Sequence, residues 1–217
     1  MKKSYQIDLE RMVEIDIKSR GIEGDKILEA MRSVPRHLFV AEEYQDIAYR
    51  DGPLPIGYGQ TISQPYIVAL MISLLRVDQL DNVLEIGTGC GYQTAVLANL
   101  VKYVFTVEII PELVKKAQDT LAQLKINNVK FISGDGGFGW EEDAPYEGIV
   151  VSAASPRVPK ELLNQLKEKG RLVAPVGPPG YQLLETWIKK GKVFKKETGI
   201  PVSFVPLLGK NGFEREL

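Results

Sequence analysis

The chain has 217 residues, one cysteine, one histidine and a formal net charge of -1. A length of that order suits one domain burying about 70–75% of its unfolded surface, and so even a charge balance supplies no basic field for nonspecific duplex binding. A single cysteine excludes an internal disulfide framework and a cysteine-based zinc site, while no apolar run reaches the ~18 residues that span a bilayer and none follows Lys2 and Lys3 as a signal peptide would require. The expectation is a soluble cytoplasmic protein with neither a membrane nor a nucleic-acid partner.

The first elements are helical. Asp8 stands where it can cap a helix in which Leu9, Met12, Val13 and Ile17 recur at helical spacing, closed by Gly21. Ile27, Leu28 and Met31 mark a second, short helix that stops before Pro35. Next comes DGPLPIGYGQTISQP, Asp51 to Pro65, whose prolines and glycines exclude a helix interior or a central strand. Its Leu54, Ile56, Tyr58 and Ile62 are too apolar for a solvated linker. A loop this long inside a compact domain is functional or disordered, and this one carries two hydroxyls, Thr61 and Ser63. Pro65 then occupies the first turn of an apolar, buried helix, YIVALMISLL. Residues 1–80 thus read as a helical preface.

Beyond it the chain alternates. NVLEIG reads as a strand, GYQTAVLANL as a helix, KYVFTVE as a strand and PELVKKAQDTLAQL as a helix with Leu113, Val114, Ala117 and Leu121 on one face. VKFISGD and GIVVSAA are strands, PKELLNQLKEKG a helix ending at Gly170, and RLVAPVG a strand. Near-continuous apolar strands between helices imply a parallel sheet covered on both faces. After Gly180 the pattern is all strand: a hairpin turning at Lys190-Gly191, then IPVSFVPLLG as a final strand. The fold expected is α/β, a doubly wound and mostly parallel sheet over residues 81–180, with antiparallel edge strands over 181–217, all in one domain spanning 1–217.

Ligands of open parallel sheets bind beyond the carboxyl ends of the strands. Those ends carry Glu85 with Gly87, Gly89 and Gly91, then Glu108, then Asp135 beside Gly136. The glycines allow a tight turn and a ligand lying against the backbone. Their spacing is G-x-G-x-G, not the G-x-G-x-x-G of dinucleotide binders, and a carboxylate precedes it where a pyrophosphate would be repelled. Three acids suit S-adenosylmethionine: Glu85 for its ammonium, Glu108 for both ribose hydroxyls, Asp135 for the adenine amine. Each acid alone also fits a plainer role, Glu108 beside a helix start and Asp135 in a turn. Cys90 reads as a packing residue, and His37 as a surface or packing residue.

Several segments together resemble the protein-L-isoaspartate O-methyltransferases. They are VPRHLFV, GYGQTISQP, VLEIGTGCGYQTAVLA, the acid of VFTVEI, SGDG, LKEKGRLVAPVG and SFVPL, spread over most of the chain. The hydroxyl loop joined to the terminal FVPL is the specific part; the other motifs occur in many methyltransferases. Departures are small: Cys90 stands where the family often has serine, and Gln64 and Tyr66 where some members have alanine and histidine.

The resemblance implies a Rossmann-like methyltransferase. Its reaction is methyl transfer from S-adenosylmethionine to the α-carboxyl of L-isoaspartyl residues in damaged proteins or peptides, whose ester then cyclises unaided to a succinimide. It further implies that Ser63 is the active-site hydroxyl with Thr61 its neighbour. Thr61, Ile62, Ser63, Gln64, Glu85, Glu108, Asp135 and Gly136 become cofactor contacts, and Tyr58, Val205, Pro206 and Leu207 substrate contacts. No metal is implied, and a monomer is favoured. The chemistry agrees, because a carboxylate is already ionised at neutral pH and needs no protein base. Hydroxyls and backbone donors can orient it without the ground-state grip of a cation. The competing readings are a methyltransferase acting on a small molecule or on RNA, a non-catalytic scaffold, and, more distantly, an NAD-linked enzyme.

Overall fold

The computed structural model of the protein describes residues 5–213, so Lys2, Lys3 and the last four positions lie outside the described residues. The preface comprises α1 (Tyr5–Arg11), α2 (Asp25–Ser33), a hairpin of β1 (Leu54–Gly57) and β2 (Gln60–Ile62), and α3 (Pro65–Leu75). Asp8 lies inside the first turn of α1 rather than ahead of it. The periodic segment after α1 is also not one regular helix. Met12–Ile17 forms wider π-type turns and Lys18–Arg20 a 3-10 turn, ended by Gly21 at φ 93°. Met12 and Ile17 are five apart and both wholly buried, which is the spacing that i→i+5 winding aligns.

The expected loop at 51–65 is a hairpin instead. Pro55 is tolerated there because a two-stranded ribbon leaves one edge of each strand without a partner. Gly57, Tyr58 and Gly59 turn the chain with φ of 96°, 55° and 70°. Ile56 and Ile62 anchor the ribbon in the core.

The core strands are β3 (Asn82–Ile86), β4 (Tyr103–Glu108), β5 (Val129–Ser133), β6 (Tyr146–Val151) and β7 (Leu166–Val176), with β8 (Gln182–Lys190) and β9 (Val193–Val202) completing the sheet. Their order is β5-β4-β3-β6-β7-β8-β9, parallel from β5 to β7 and antiparallel beyond. The order reverses beside β3, so the ends of β3 and β6 flank the crevice where such sheets bind ligands. Alternate residues enter two cores. Val83, Val104, Val150 and Val173 pack under the preface helices with α4 (Tyr92–Ala98) and α5 (Pro111–Gln123). Leu84, Val107, Ile149 and Leu172 pack on the other face with α6 (Lys160–Asn164).

Two boundaries differ from expectation. The helix read as far as Gly170 ends at Asn164, because Tyr146 N–H donates to the Gln165 carbonyl and Leu166 begins β7 beside β6. The strand expected after Ile200 is absent: Ile200–Val202 finish β9, and the next residues are tied to the sheet by a bridge between Ala154 and Pro206. No helix among the described residues is long and apolar enough to cross a membrane.

Candidate active site

The hairpin alternates in and out, so burying Ile56 and Ile62 leaves Thr61 and Ser63 outside the core. Three grips hold its exit. Ser63's carbonyl accepts from Arg36 Nη2 at 2.8 Å. Gln64 Nε2 donates at 2.6 Å to Asp51 Oδ2, which also takes Arg20 Nη1 at 2.7 Å. The Arg20 guanidinium in turn lies 3.6 Å from the centroid of the Tyr66 ring. Gln64 occupies the N-cap position of α3, and its side chain makes no capping hydrogen bond to that helix.

Across from the hairpin, the loop between β3 and α4 turns through Gly87, Gly89 and Gly91 at φ of 89°, 55° and 88°. Gly91 is needed for packing, since a Cβ there would lie 2.9 Å from Leu121 Cδ1. Glu108 closes the loop from β4: its Oε2 accepts from Gly89 N at 2.9 Å and its Oε1 from Ile110 N at 3.0 Å. A carboxylate has about four acceptor sites, so about two remain.

Glu85 is wholly buried. Gln93, Thr94 and Thr106 donate to it, and burial pushes its pKa up to about 7. Asp135 accepts from Gly137 N at 2.9 Å and from Lys210 N at 2.8 Å, tying the C-terminal segment to the turn after β5.

These elements enclose two adjoining cavities. One has the glycine loop and Gly136 at its floor and, among the described residues, Glu108 as its single charged residue. The other is a cleft of about 440 Å³ between the hairpin and the Pro201–Val205 stretch, with no acidic or basic side chain on its walls among the described residues. Thr61, Ser63, Ser152 and Val205 border both. A hydroxyl-bearing partition thus separates a glycine-floored pocket from a charge-free cleft.

The family profile described as Protein-L-isoaspartate(D-aspartate) O-methyltransferase (PCMT) matches residues 8–212. The chain belongs to that family. It is 49% identical over 209 residues to a protein-L-isoaspartate O-methyltransferase of Methanoculleus marisnigri, covering 96% of this chain and 94% of the relative. A solved protein-L-isoaspartate O-methyltransferase superposes with a TM-score of 0.84 at 30% identity, over 93% of this chain and 66% of that one. A Plasmodium falciparum PCMT structure in complex with S-adenosyl-L-homocysteine gives a TM-score of 0.78 at 28% identity, over 92% of this chain and 98% of that one.

Set against that family, the site residues expected from the sequence fall into two groups. Thr61, Ile62, Ser63, Gly87, Gly89, Glu108, Gly136, Val205, Pro206 and Leu207 line the glycine-floored cavity, while Gln64 lines the cleft. Glu85, Gly91, Asp135 and Tyr58 line neither. Glu85 shares the helix-covered face of β3 with Val83, so its carboxylate meets α4 rather than the cavity. Tyr58 sits exposed at the hairpin tip.

Sequence reasoning missed Gln93, which bridges Glu85 and Ser152 with its amide at 3.1 and 2.8 Å. It also missed Ser152, although the strand-end rule applied to β6 would have found it. Cys90 lines the cavity as a thiol whose pKa burial raises to about 11. His37 packs away from the site, stacked on Tyr5 and hydrogen-bonded to Tyr49 Oη at 2.7 Å.

The cavity fits an adenosyl ligand. A Cβ on Gly89 would come within 3.3 Å of Ile56 Cδ1, so the bare backbone keeps the cradle open at the hairpin. The spare acceptor sites of Glu108 suit a vicinal diol.

Proposed function

We propose that this protein transfers the methyl group of S-adenosylmethionine to the α-carboxyl of L-isoaspartyl residues in proteins and peptides, opening a repair that continues unaided through a succinimide. The observation that carries this reading is the partition of Thr61, Ser63, Ser152 and Val205 between the glycine-floored cavity and the charge-free cleft. S-adenosylmethionine, when bound, supplies a methyl group on a positively charged sulfur. Glu108, the backbone of Gly87 to Gly89, Gly136 and the Thr61–Gln64 stretch would hold it. Glu85 supports that pocket one layer back, through Gln93 and the Thr106–Thr88 hydroxyl pair. Asp135 shapes the pocket edge by gripping residue 210.

Ser63 and Thr61 orient the substrate carboxylate by donating hydroxyl hydrogens. The carboxylate arrives ionised, so no residue has to take a proton from it. Carboxylate and sulfonium charges cancel as the reaction proceeds, so a cleft that withdraws water without substituting a cation favours attack. Val205 and Leu207 present a rigid edge to the substrate backbone, because Ala154 N–H donates to the Val205 carbonyl and Leu207 N–H to the Ala154 carbonyl, at 2.8 and 2.7 Å. A cytoplasmic, monomeric enzyme with no nucleic-acid or membrane partner belongs to the same proposal.

The test is incubation with labelled S-adenosylmethionine and paired peptides of one sequence, isoaspartyl and aspartyl. Label should enter the isoaspartyl member alone. Equal labelling of both, or of neither, would refute the reading.

A further inference from the structure

We propose that Arg36 is a positioning residue for the methyl transfer, clamping the Ser63 peptide from inside the protein so that the serine hydroxyl stays in the partition; this rests on the reaction proposed above. Arg36 is the lone guanidinium of VPRHLFV and is wholly buried. Its Nε donates to the Ala48 carbonyl at 2.8 Å, and its Nη2 to the carbonyls of Ser63 at 2.8 Å and Gly52 at 3.5 Å. The guanidinium faces the ring of Tyr92 at 4.8 Å from the centroid, and Tyr92 and Ser63 both line the glycine-floored cavity.

Stability alone does not account for an arginine here. No carboxylate pairs with it among the described residues, and Nη1 is buried without a protein acceptor. A desolvated cation without a counter-charge is unfavourable, and well-packed apolar side chains often replace even paired buried charges without loss. What a guanidinium does that other side chains cannot is present several donors in one rigid plane. Here that plane joins the end of one 3-10 turn, the approach to the hairpin and the hairpin exit.

The geometry at residue 63 is that of a positioned donor. Its neighbours are fixed, Ile62 by burial and Gln64 by Asp51, and its carbonyl is fixed by Arg36. Its hydroxyl forms no hydrogen bond among the described residues and so remains available to a ligand. A shift of the Ser63 backbone would carry its Cα and hydroxyl out of the partition, and the hydrogen bond from Arg36 to the Ser63 carbonyl opposes that shift.

The experiment compares wild type, Arg36→Lys, Ser63→Ala and the double variant well below their melting temperatures, on an isoaspartyl peptide. S-adenosylhomocysteine affinity is measured by calorimetry, and amide exchange is followed through residues 61–68. Arg36→Lys keeps the charge but loses the fork. It should lower kcat per folded molecule by about 10²-fold, the order that a small misplacement of a reacting group costs. Its affinity for S-adenosylhomocysteine should change by less than about threefold, while exchange near Ser63 quickens. In the Ser63→Ala background the lysine should add less than about threefold, because both changes act through one hydroxyl. Normal kcat in Arg36→Lys, or full additivity with Ser63→Ala, would overturn the proposal.

Should Arg36→Lys not fold, wild-type exchange decides. Amides around Ser63 should open only with the interior of α3, and fast local opening would refute the clamp. Wild type that leaves isoaspartyl peptide unmethylated would defeat the assigned reaction instead, leaving the exchange arm to test the clamp.

Discussion

The two sides of the hydroxyl partition are built from opposite materials. On the glycine side the strand ends carry three carboxylates, each committed before any ligand arrives: Glu85 to α4 and β4, Glu108 to the glycine loop, Asp135 to the C-terminal segment. On the cleft side no acid or base lines the wall among the described residues, and the polar side chains are hydroxyls and one amide. The difference follows the charges expected on each side. Of the three carboxylates only Glu108 faces the cavity, where it suits a cationic nucleoside, with Glu85 and Asp135 shaping the walls behind it, whereas the neutral donors of the cleft suit an anion to be oriented without being trapped.

The sharpest way to break the glycine side is Gly91→Ala. The residue sits at φ 88° with Leu121 Cδ1 and Ala117 Cβ within 2.9 and 3.0 Å of a would-be Cβ. Backbone strain and overpacking together should cost about 2–5 kcal/mol, read in a urea melt. Affinity for S-adenosylhomocysteine per folded molecule should change little, since Gly91 lines neither cavity.

Glu85 gives an effect of similar size that depends on pH. Its folded pKa of about 7 lies above its ordinary 4.5 because burial penalises the charge. The native state therefore holds a proton that the unfolded chain releases between those values. Its contribution is full below pH 4.5 and is lost as pH rises to 7, about 3 kcal/mol in all. Glu85→Gln should flatten that part of a pH series of denaturant melts.

Glu108→Ala should weaken S-adenosylhomocysteine by about 1–3 kcal/mol in calorimetry, through lost charge-assisted hydrogen bonds and a looser glycine loop. The smallest effect tests the cleft. Ser203→Lys adds a cation to an exposed position on its wall. KM for an isoaspartyl peptide and kcat should both fall by roughly threefold, the pattern of a gain in ground-state binding that the transition state does not share.

The central sheet was legible because β3, β4 and β6 are buried on both faces, and so appear as continuous apolar runs. The hairpin was not. Pro55 and three consecutive positive-φ residues disguise strands that use only one edge each. Leu162, Leu163 and Leu166 keep helical spacing, yet Leu166 belongs to β7, because pairing with β6 outweighs the pattern.

At the site, the strand-end rule located Glu85 and Glu108 along the sheet but not the face each side chain takes. Alternation along β3 decides that Glu85 turns to the helices. Of the cleft only Thr61, Ser63, Gln64 and Val205 were read, through the family resemblance; the rest was not, since Pro53, Ser152, Tyr181 and Val202 meet there from four separate segments. Arg36 carried one faint signal, a lone charge inside an otherwise apolar motif.

Ser63 tests the division most directly. A helix cap would make it a stability residue, but Gln64 holds the N-cap position of α3. Turnover of Ser63→Ala and Ser63→Thr on an isoaspartyl peptide, measured beside thermal melts, separates the two roles. Orientation by the hydroxyl predicts that Ser63→Ala loses about 10²-fold in kcat at a nearly unchanged melting temperature, with Ser63→Thr retaining more. A Ser63→Ala protein with normal kcat and a lowered melting temperature would contradict it.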